Sequence, residues 1–218
     1  MKLQPTLWIA VASLLLSLCS AADPPEHEAI SQYRAYVVAV RAEDVQAIQK
    51  LVVPVSKPVQ PIQAVLIKID ILHERLYKQT VAQFGPIDFK KEELWEGFAQ
   101  PSDDDLKDLR IKVHEDVDIA QVLMKNPHTG NHDRSALMVR RNNKWFVPKT
   151  LQLNEEDDKK PVREPQPEEL QPMLKYATHM SREMESILDR LQKKQFKSSA
   201  EVMQAFLDAM PADGEIDK

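Results

Sequence analysis

The chain has 218 residues, with 29 Lys and Arg against 34 Asp and Glu and a formal net charge of −5. A balance that acidic excludes a general nucleic-acid binder, which would carry a basic stripe, and a single cysteine excludes a disulfide framework and cysteine-based zinc sites. With 4 glycines, 15 prolines and 43% hydrophobic residues, it reads as a helix-rich globular chain with Pro-marked joints, long enough for one domain plus an appendage.

Residues 1–22 read as a signal peptide. Lys2 gives the positive start, and residues 7–18 are apolar but for Ser13 and Ser17, too short to span a bilayer comfortably. Ser20, Ala21 and Ala22 supply small residues for cleavage after Ala21 or after Ala22. The expected location is therefore exported, periplasmic or extracellular. Leu16-Ser17-Leu18-Cys19 is a rival lipobox that would lipidate Cys19, but Leu18 stands where such boxes want a small residue. Membrane association is expected only through that leader or that lipid.

Helical periodicity begins near residue 26 and runs to about 52, with Ile30, Tyr33, Val37 and Val40 on one face and then Ile48, Leu51 and Val52. The phase slips at Glu43-Asp44, and Asp44 can cap a new start, which predicts a kink or two short helices. A second helix is predicted over residues 60–84, with Ile62, Val65, Ile69, Leu72, Leu76 and Val81 buried and Gly85-Pro86 stopping it. A short helix over 90–98 should bury Leu94, Trp95 and Phe98. Residues 102–105 read as a polar entry loop.

Residues 106–153 alternate with period two, the pattern of strands with one buried face. Leu109, Ile111 and Val113 alternate with Arg110, Lys112 and His114. Ala120, Val122 and Met124 follow, then Leu137 and Val139 between Met138 and Arg140, then Trp145 and Val147 around Phe146. Asn142-Asn143 suits a two-residue type I′ turn. Four short antiparallel strands in a meander need a covered face, and the flanking helices must supply the cover.

Residues 154–167 read as an acidic, Pro-rich linker in which Val162 alone is apolar. Helical spacing returns from Pro172, through Met173, Ala177, Met180, Met184, Ile187 and Leu191. Ser198 to Glu201 forms a capping box for a last helix holding Val202, Phe206 and Leu207. A stripe that long is costly in water, so the pair should fold back on its own domain, leaving an edge with Met173, Met180, Met184 and Met203 for a partner. The predicted division is a domain over 23–153, a linker over 154–167, a helical pair over 168–210 and a frayed tail over 211–218.

The order of helices, meander and Lys-Trp strand resembles the NTF2-like superfamily, cone-shaped α+β proteins. The pieces that carry the likeness are residues 36–51, with Ala42-Glu43-Asp44-Val45 where many relatives read Gly-Asp, Asp116-Val117-Asp118-Ile119-Ala120-Gln121-Val122, and Arg141-Asn142-Asn143-Lys144-Trp145-Phe146-Val147. With the added helical pair and Lys197-Ser198-Ser199-Ala200-Glu201, the chain is also similar to exported bacterial proteins of the planctomycete type. The resemblance implies an α+β fold with N-terminal helices packed on a curved antiparallel sheet of about four strands, and a possible pocket in the cone. It implies no reaction, because one fold hosts enzymes and binding proteins alike.

Enzymes of that superfamily place an acid or base with a Tyr donor in an apolar pocket. The groups available for such a role are Tyr33, Tyr36, Tyr77, His114 and Asp118, none matching a family catalytic motif. His128, His132 and Asp133 could hold a metal across their loop, although three spaced ligands in such a loop are more often plain turn chemistry. His73-Glu74 lacks the second His of the zinc-protease helix, since position 77 is Tyr, and reads as a surface polar pair. The aspartates at 103–105 and the acidic run at 155–158 lack calcium-loop spacing. No Gly-rich phosphate loop and no nucleophile elbow occur. No cofactor is indicated. The residues point to a non-enzymatic binding or structural domain for a small ligand or a protein partner. Two alternatives remain, an isomerase- or dehydratase-type enzyme in the cone and an interaction module using the C-terminal helices.

Overall fold

A computed structural model of the chain describes residues 27–211 apart from 90, 93, 96–97, 99, 115–117, 127–128 and 154–161. The expected signal peptide, with Cys19, Ala21 and Ala22, lies outside the described residues, as does the tail after 211. No described helix is long and apolar enough to cross a membrane.

The chain is α+β, as expected. Helix α1 (Glu28–Arg41) is capped by the His27 ring, which accepts from the Ala29 N–H at 3.2 Å. It ends where Glu43 takes a positive φ of 57°. The Asp44 carboxylate then accepts the Ala47 N–H at 2.9 Å and starts α2 (Val45–Leu51), so the phase slip is a true break. Helix α3 (Gln60–Phe84) starts with Pro61 in its first turn and stops at Gly85, whose φ of 87° suits a residue without Cβ.

Helix α3 departs from the single-stripe expectation. Ile67 and Ile71 are buried with α1 and the sheet, while Leu72 and Leu76 are buried with the C-terminal helices. Val65, Ile69 and Val81, expected in the core, are half-buried. A helix packed on two sides has no one apolar stripe, so a single-face reading picks the wrong subset. For the same reason His73-Glu74 is not a surface pair: Glu74 is buried and His73 is half-buried.

Between Phe84 and the sheet, Trp95 and Phe98 are buried as expected, but Leu94 is 55% exposed. Residues 102–105 are not a loop. Ser102 and Asp105 make a reciprocal capping box and open helix α4 (Asp103–Lys107). Three aspartates suit a first helical turn, whose free N–H groups attract negative charge.

The main sheet is an antiparallel meander in the order β1 (Arg110–His114), β2 (Ile119–Met124), β3 (Arg134–Arg141), β4 (Lys144–Phe146). Ile111 faces Val122, Ala120 faces Met138, and Arg140 faces Trp145. Asn142 and Asn143 both have positive φ, at 50° and 59°, which realises the expected turn. Past β4 the sheet gains a staple. Val53 N–H donates to Val147 O at 3.0 Å, and Val147 N–H donates to Leu51 O at 2.9 Å, so the end of α2 is tied to the sheet edge.

One sheet face, with Ala120, Val122, Met124, Met138, Trp145 and Val147, joins Tyr33, Tyr36, Val37 and Val40 of α1 in the main core. The other face is apolar too. Ile119 and Val139 pack with Val53 and Val162, so the inward residue of β3 is Met138, while Leu137 and Val139 serve the opposite face. The small sheet of β5 (Gln152–Leu153) and β6 (Val162–Arg163) brings Val162 there. The segment expected as linker therefore includes a strand.

Helix α5 (Pro167–Gln192) begins five residues before the expected start at Pro172 and carries that proline in its second turn. Pro167 stands at the first helical position, where its missing N–H costs nothing. Glu169 accepts the Gln166 N–H at 2.5 Å and pairs with Arg163 through contacts of 2.7 and 2.9 Å, which locks the start to β6. Met180, Met184, Ile187, Leu188 and Leu191 pack with Leu72 and Leu76 of α3. Helix α6 (Ser199–Asp208), capped by Ser198, adds Val202, Met203 and Phe206 to that cluster. The pair folds back as expected, but Met180, Met184 and Met203 face inward and form no exposed Met-rich edge.

Trp145→Ala in the sheet core and Met184→Ala in the C-terminal cluster are each expected to cost about 3 kcal/mol, as large-to-small core truncations do. Both should lower one cooperative transition in denaturant melts. A Met184→Ala variant that melts in two steps, with the sheet unaffected, would show that the C-terminal helices fold separately.

Candidate functional site

A group of buried and half-buried titratable side chains lies where α1, α3 and the segment after β4 meet. On α1, Tyr33, Tyr36, Val37 and Val40 share one face at helical spacing, and that face is buried on the sheet. On α3, Asp70 sits among Ile67 and Ile71. Pro148 and Lys149 follow shortly after β4.

The Tyr36 hydroxyl donates to Asp70 Oδ2 in a short contact. Lys149 Nζ donates to Asp70 Oδ1 at 2.8 Å and lies 2.7 Å from Oδ2, so both carboxylate oxygens are engaged. The same ammonium stands 5.5 Å from the centre of the Tyr36 ring, within cation–π reach. The Asp70 and Lys149 side chains keep 13% and 25% exposure, so the ion pair is largely withdrawn from water. Burial, then the Asp70 charge, pushes the Tyr36 phenol well above its ordinary range, and it remains a donor. Burial also raises Tyr33 to about 12, and its hydroxyl points to Met124 Sδ at 3.1 Å.

His73 lies one turn beyond Asp70 on α3. Its ring meets Phe98 edge-on at 4.6 Å and Phe206 at 6.2 Å. Burial lowers its pKa to about 4, with the Asp70 charge opposing and Lys149 reinforcing the shift. Glu74 pairs with Lys78 at 3.1 Å, and Lys78 also reaches the Arg41 carbonyl at 3.1 Å, so the buried carboxylate is tied to the end of α1.

Of the residues expected to line an active site, Tyr33 and Tyr36 fall in or beside this cluster. Tyr77 does not: it stacks on Phe89 at 6.4 Å and meets Trp95 tilted at 6.4 Å, with the C-terminal cluster, and burial raises its phenol. His114 ends β1 opposite Ile119. Asp118 has a positive φ of 55° and pairs with Arg140 at 2.7 Å. His132 Nε2 lies 2.9 Å from Asp108 O and 3.2 Å from its carboxylate, while Asp133 accepts from Thr129 Oγ1 at 3.0 Å. His128 lies outside the described residues, and among those described no group of three His, Cys, Asp or Glu could hold a metal.

Asp70 and Lys149 were missed, and His73 was read as half of a surface polar pair. One signal was present: Asp70 stands directly between Ile69 and Ile71, and a charge so placed needs a partner. Nothing local marks Lys149 as that partner, 79 residues away.

Chemically the cluster is a closed circuit. A general base must reach the proton it takes from substrate, and both Asp70 oxygens already accept donors from within the protein, Oδ2 from the Tyr36 hydroxyl and Oδ1 from the Lys149 ammonium. Surface grooves run along α5, between α3 and α5, and between residues 91–95 and α6, and none of these is lined by Tyr36, Asp70 or Lys149. No family model, no curated protein and no solved structure matches the chain.

Two outcomes test this geometry. Asp70→Ala leaves the Lys149 ammonium and the Tyr36 hydroxyl without a partner and is expected to cost about 3 kcal/mol in denaturant melts. Tyr36→Phe, which removes one hydrogen bond to a carboxylate, should cost about 2 kcal/mol. The second concerns pH. A histidine kept neutral in the fold but free to protonate when unfolded makes the unfolded state bind more protons below its ordinary pKa. Stability should therefore fall as pH drops from about 6.5 to about 4, by roughly 3 kcal/mol for this group. His73→Gln should flatten the melting temperature in that window, and the His73 ring resonances should keep their neutral positions down to about pH 5.

Proposed function

We propose that the chain is an exported, non-enzymatic binding domain of the NTF2-like kind, in which the Tyr36–Asp70–Lys149 cluster is a structural clamp. The single observation that carries the reading is the occupancy of Asp70: its two oxygens are taken by Lys149 and Tyr36, among side chains that fill the space between sheet and helices. The α+β order with a four-stranded meander supports the cone assignment. Export rests on Lys2, the apolar stretch at 7–18 and the small residues at 20–22.

One observation favours the enzymatic alternative. A Tyr donor held on a carboxylate in an apolar setting is the arrangement that isomerase-type sites use to polarise a carbonyl. That reading requires Lys149 to leave Asp70 when substrate arrives.

The experiment is a thermal-shift screen of small molecules on two proteins, the parent and a variant with Tyr36→Phe, Asp70→Leu and Lys149→Met together. Replacing a whole buried ion network by apolar groups is often neutral for stability, so the variant is expected to fold and melt near the parent. A ligand that binds only the folded state raises the melting temperature. Compounds that stabilise both proteins equally support binding away from the clamp. Compounds that stabilise the parent alone, and are turned over by it, overturn the non-enzymatic reading.

A further inference from the structure

The two edges of the main sheet are treated differently. Past β4, the hydrogen bonds of Val147 with Leu51 and Val53 tie the end of α2 to the sheet. At the opposite edge, β1 pairs with β2 alone, and among the described residues no other backbone group bonds to it. An open edge carries a row of unpaired N–H and C=O groups on which another strand can form. The side chains along this edge alternate in chemistry. Ile111 and Val113 turn to the main core, yet they are only half-buried. Arg110 and Lys112 turn to the other face, opposite Leu123 and Gln121 of β2. Both cations are exposed, and neither has an ion pair or a side-chain hydrogen bond among the described residues.

We propose that β1 binds an extended peptide in which apolar and acidic residues alternate, added to the main sheet as a further strand. In such strand addition, main-chain bonds supply affinity and the alternate side chains supply specificity. Apolar residues of the peptide cover Ile111 and Val113 on the core side. Its carboxylates lie across from Arg110 and Lys112 on the other side, where opposite charges stabilise a cross-strand pair. The same two cations disfavour a second copy of this edge. Self-pairing in parallel register, or antiparallel about Ile111, sets them directly against each other, and like charges so placed destabilise. Basic residues on an edge block self-association, and here they also select the partner. The proposal names a partner class for the binding domain inferred above. It rests on that reading, but not on export or on the clamp.

The test uses the full folded chain and a fluorescent heptapeptide, Ser-Val-Glu-Val-Glu-Val-Ser, with anisotropy as the readout at low salt. Two further peptides are compared with it, one with Lys in place of both Glu, the other N-methylated along its backbone. The acidic peptide is expected to bind roughly tenfold or more tightly than the Lys peptide, since two attractive cross-strand pairs become two repulsive ones. N-methylation should abolish binding, because it removes the main-chain donors. Arg110→Glu with Lys112→Glu should reverse the preference between the two charged peptides. Both positions are exposed, so the double variant is expected to melt near the parent. If it does not fold, Arg110→Gln with Lys112→Gln should instead bring the two peptides to equal affinity. Equal affinity of the parent for both charged peptides, or undiminished binding of the N-methylated one, overturns the proposal. So does a chain that sediments as a dimer through this edge, or one that binds phosphatidylserine vesicles and not the acidic peptide. In that event, hits from the small-molecule screen leave the binding reading standing, and a screen without hits removes both.

Discussion

Helix α3 is the constraint on which the molecule depends, because it is buried on two sides at once. Ile67 and Ile71 serve the core that includes the sheet, and Leu72 and Leu76 serve the core that includes α5 and α6. A 25-residue helix with apolar positions on both sides cannot keep a solvated face wide enough to stand alone. The C-terminal helices are therefore a required cover, and the same argument explains why His73 and Glu74 are withdrawn from water on a helix that looks half-polar in sequence.

The Tyr36–Asp70–Lys149 clamp answers the charge that two-sided burial creates. Asp70 lies between the apolar positions of the sheet-side core, where an isolated carboxylate would be costly. Lys149 arrives from the end of the sheet, so the ion pair also fixes how the last strand meets α3. The Arg163–Glu169 pair does similar work at the opposite end of the chain, tying β6 to the start of α5. In both places one residue of the pair lies in a turn or strand, and the other in the helix it must hold. Specific registry between layers thus comes from charge, while the bulk of the stability comes from apolar area.

The elements with strong local signals were legible in the sequence. The alternation from Arg110 to Phe146 and the Asn142-Asn143 turn gave a four-stranded meander, and Asp44 and Gly85 marked helix ends that occur where expected. Local reading failed where a decision depended on a distant layer. Leu137 and Val139 look like the inward residues of β3 until Val53 and Val162 provide a second apolar surface for them. The aspartates at 103–105 look like loop until the capping box with Ser102 is recognised. The candidate site was legible only in half: Tyr36 follows from helical spacing, but Lys149 follows from nothing short of the fold.

The position of α5 in the chain has a consequence for synthesis. The partner of Leu72 and Leu76 is encoded roughly a hundred residues after them, and ribosomes add about 5–20 residues per second. For roughly ten seconds, each new chain holds a helix whose apolar flank has only Ile87, Trp95 and Phe98 of its own to cover it. During that interval the nascent chain is a client: something that recognises exposed apolar helices, whether a chaperone or a translocation channel, can capture it before the last turn of α5 closes the fold.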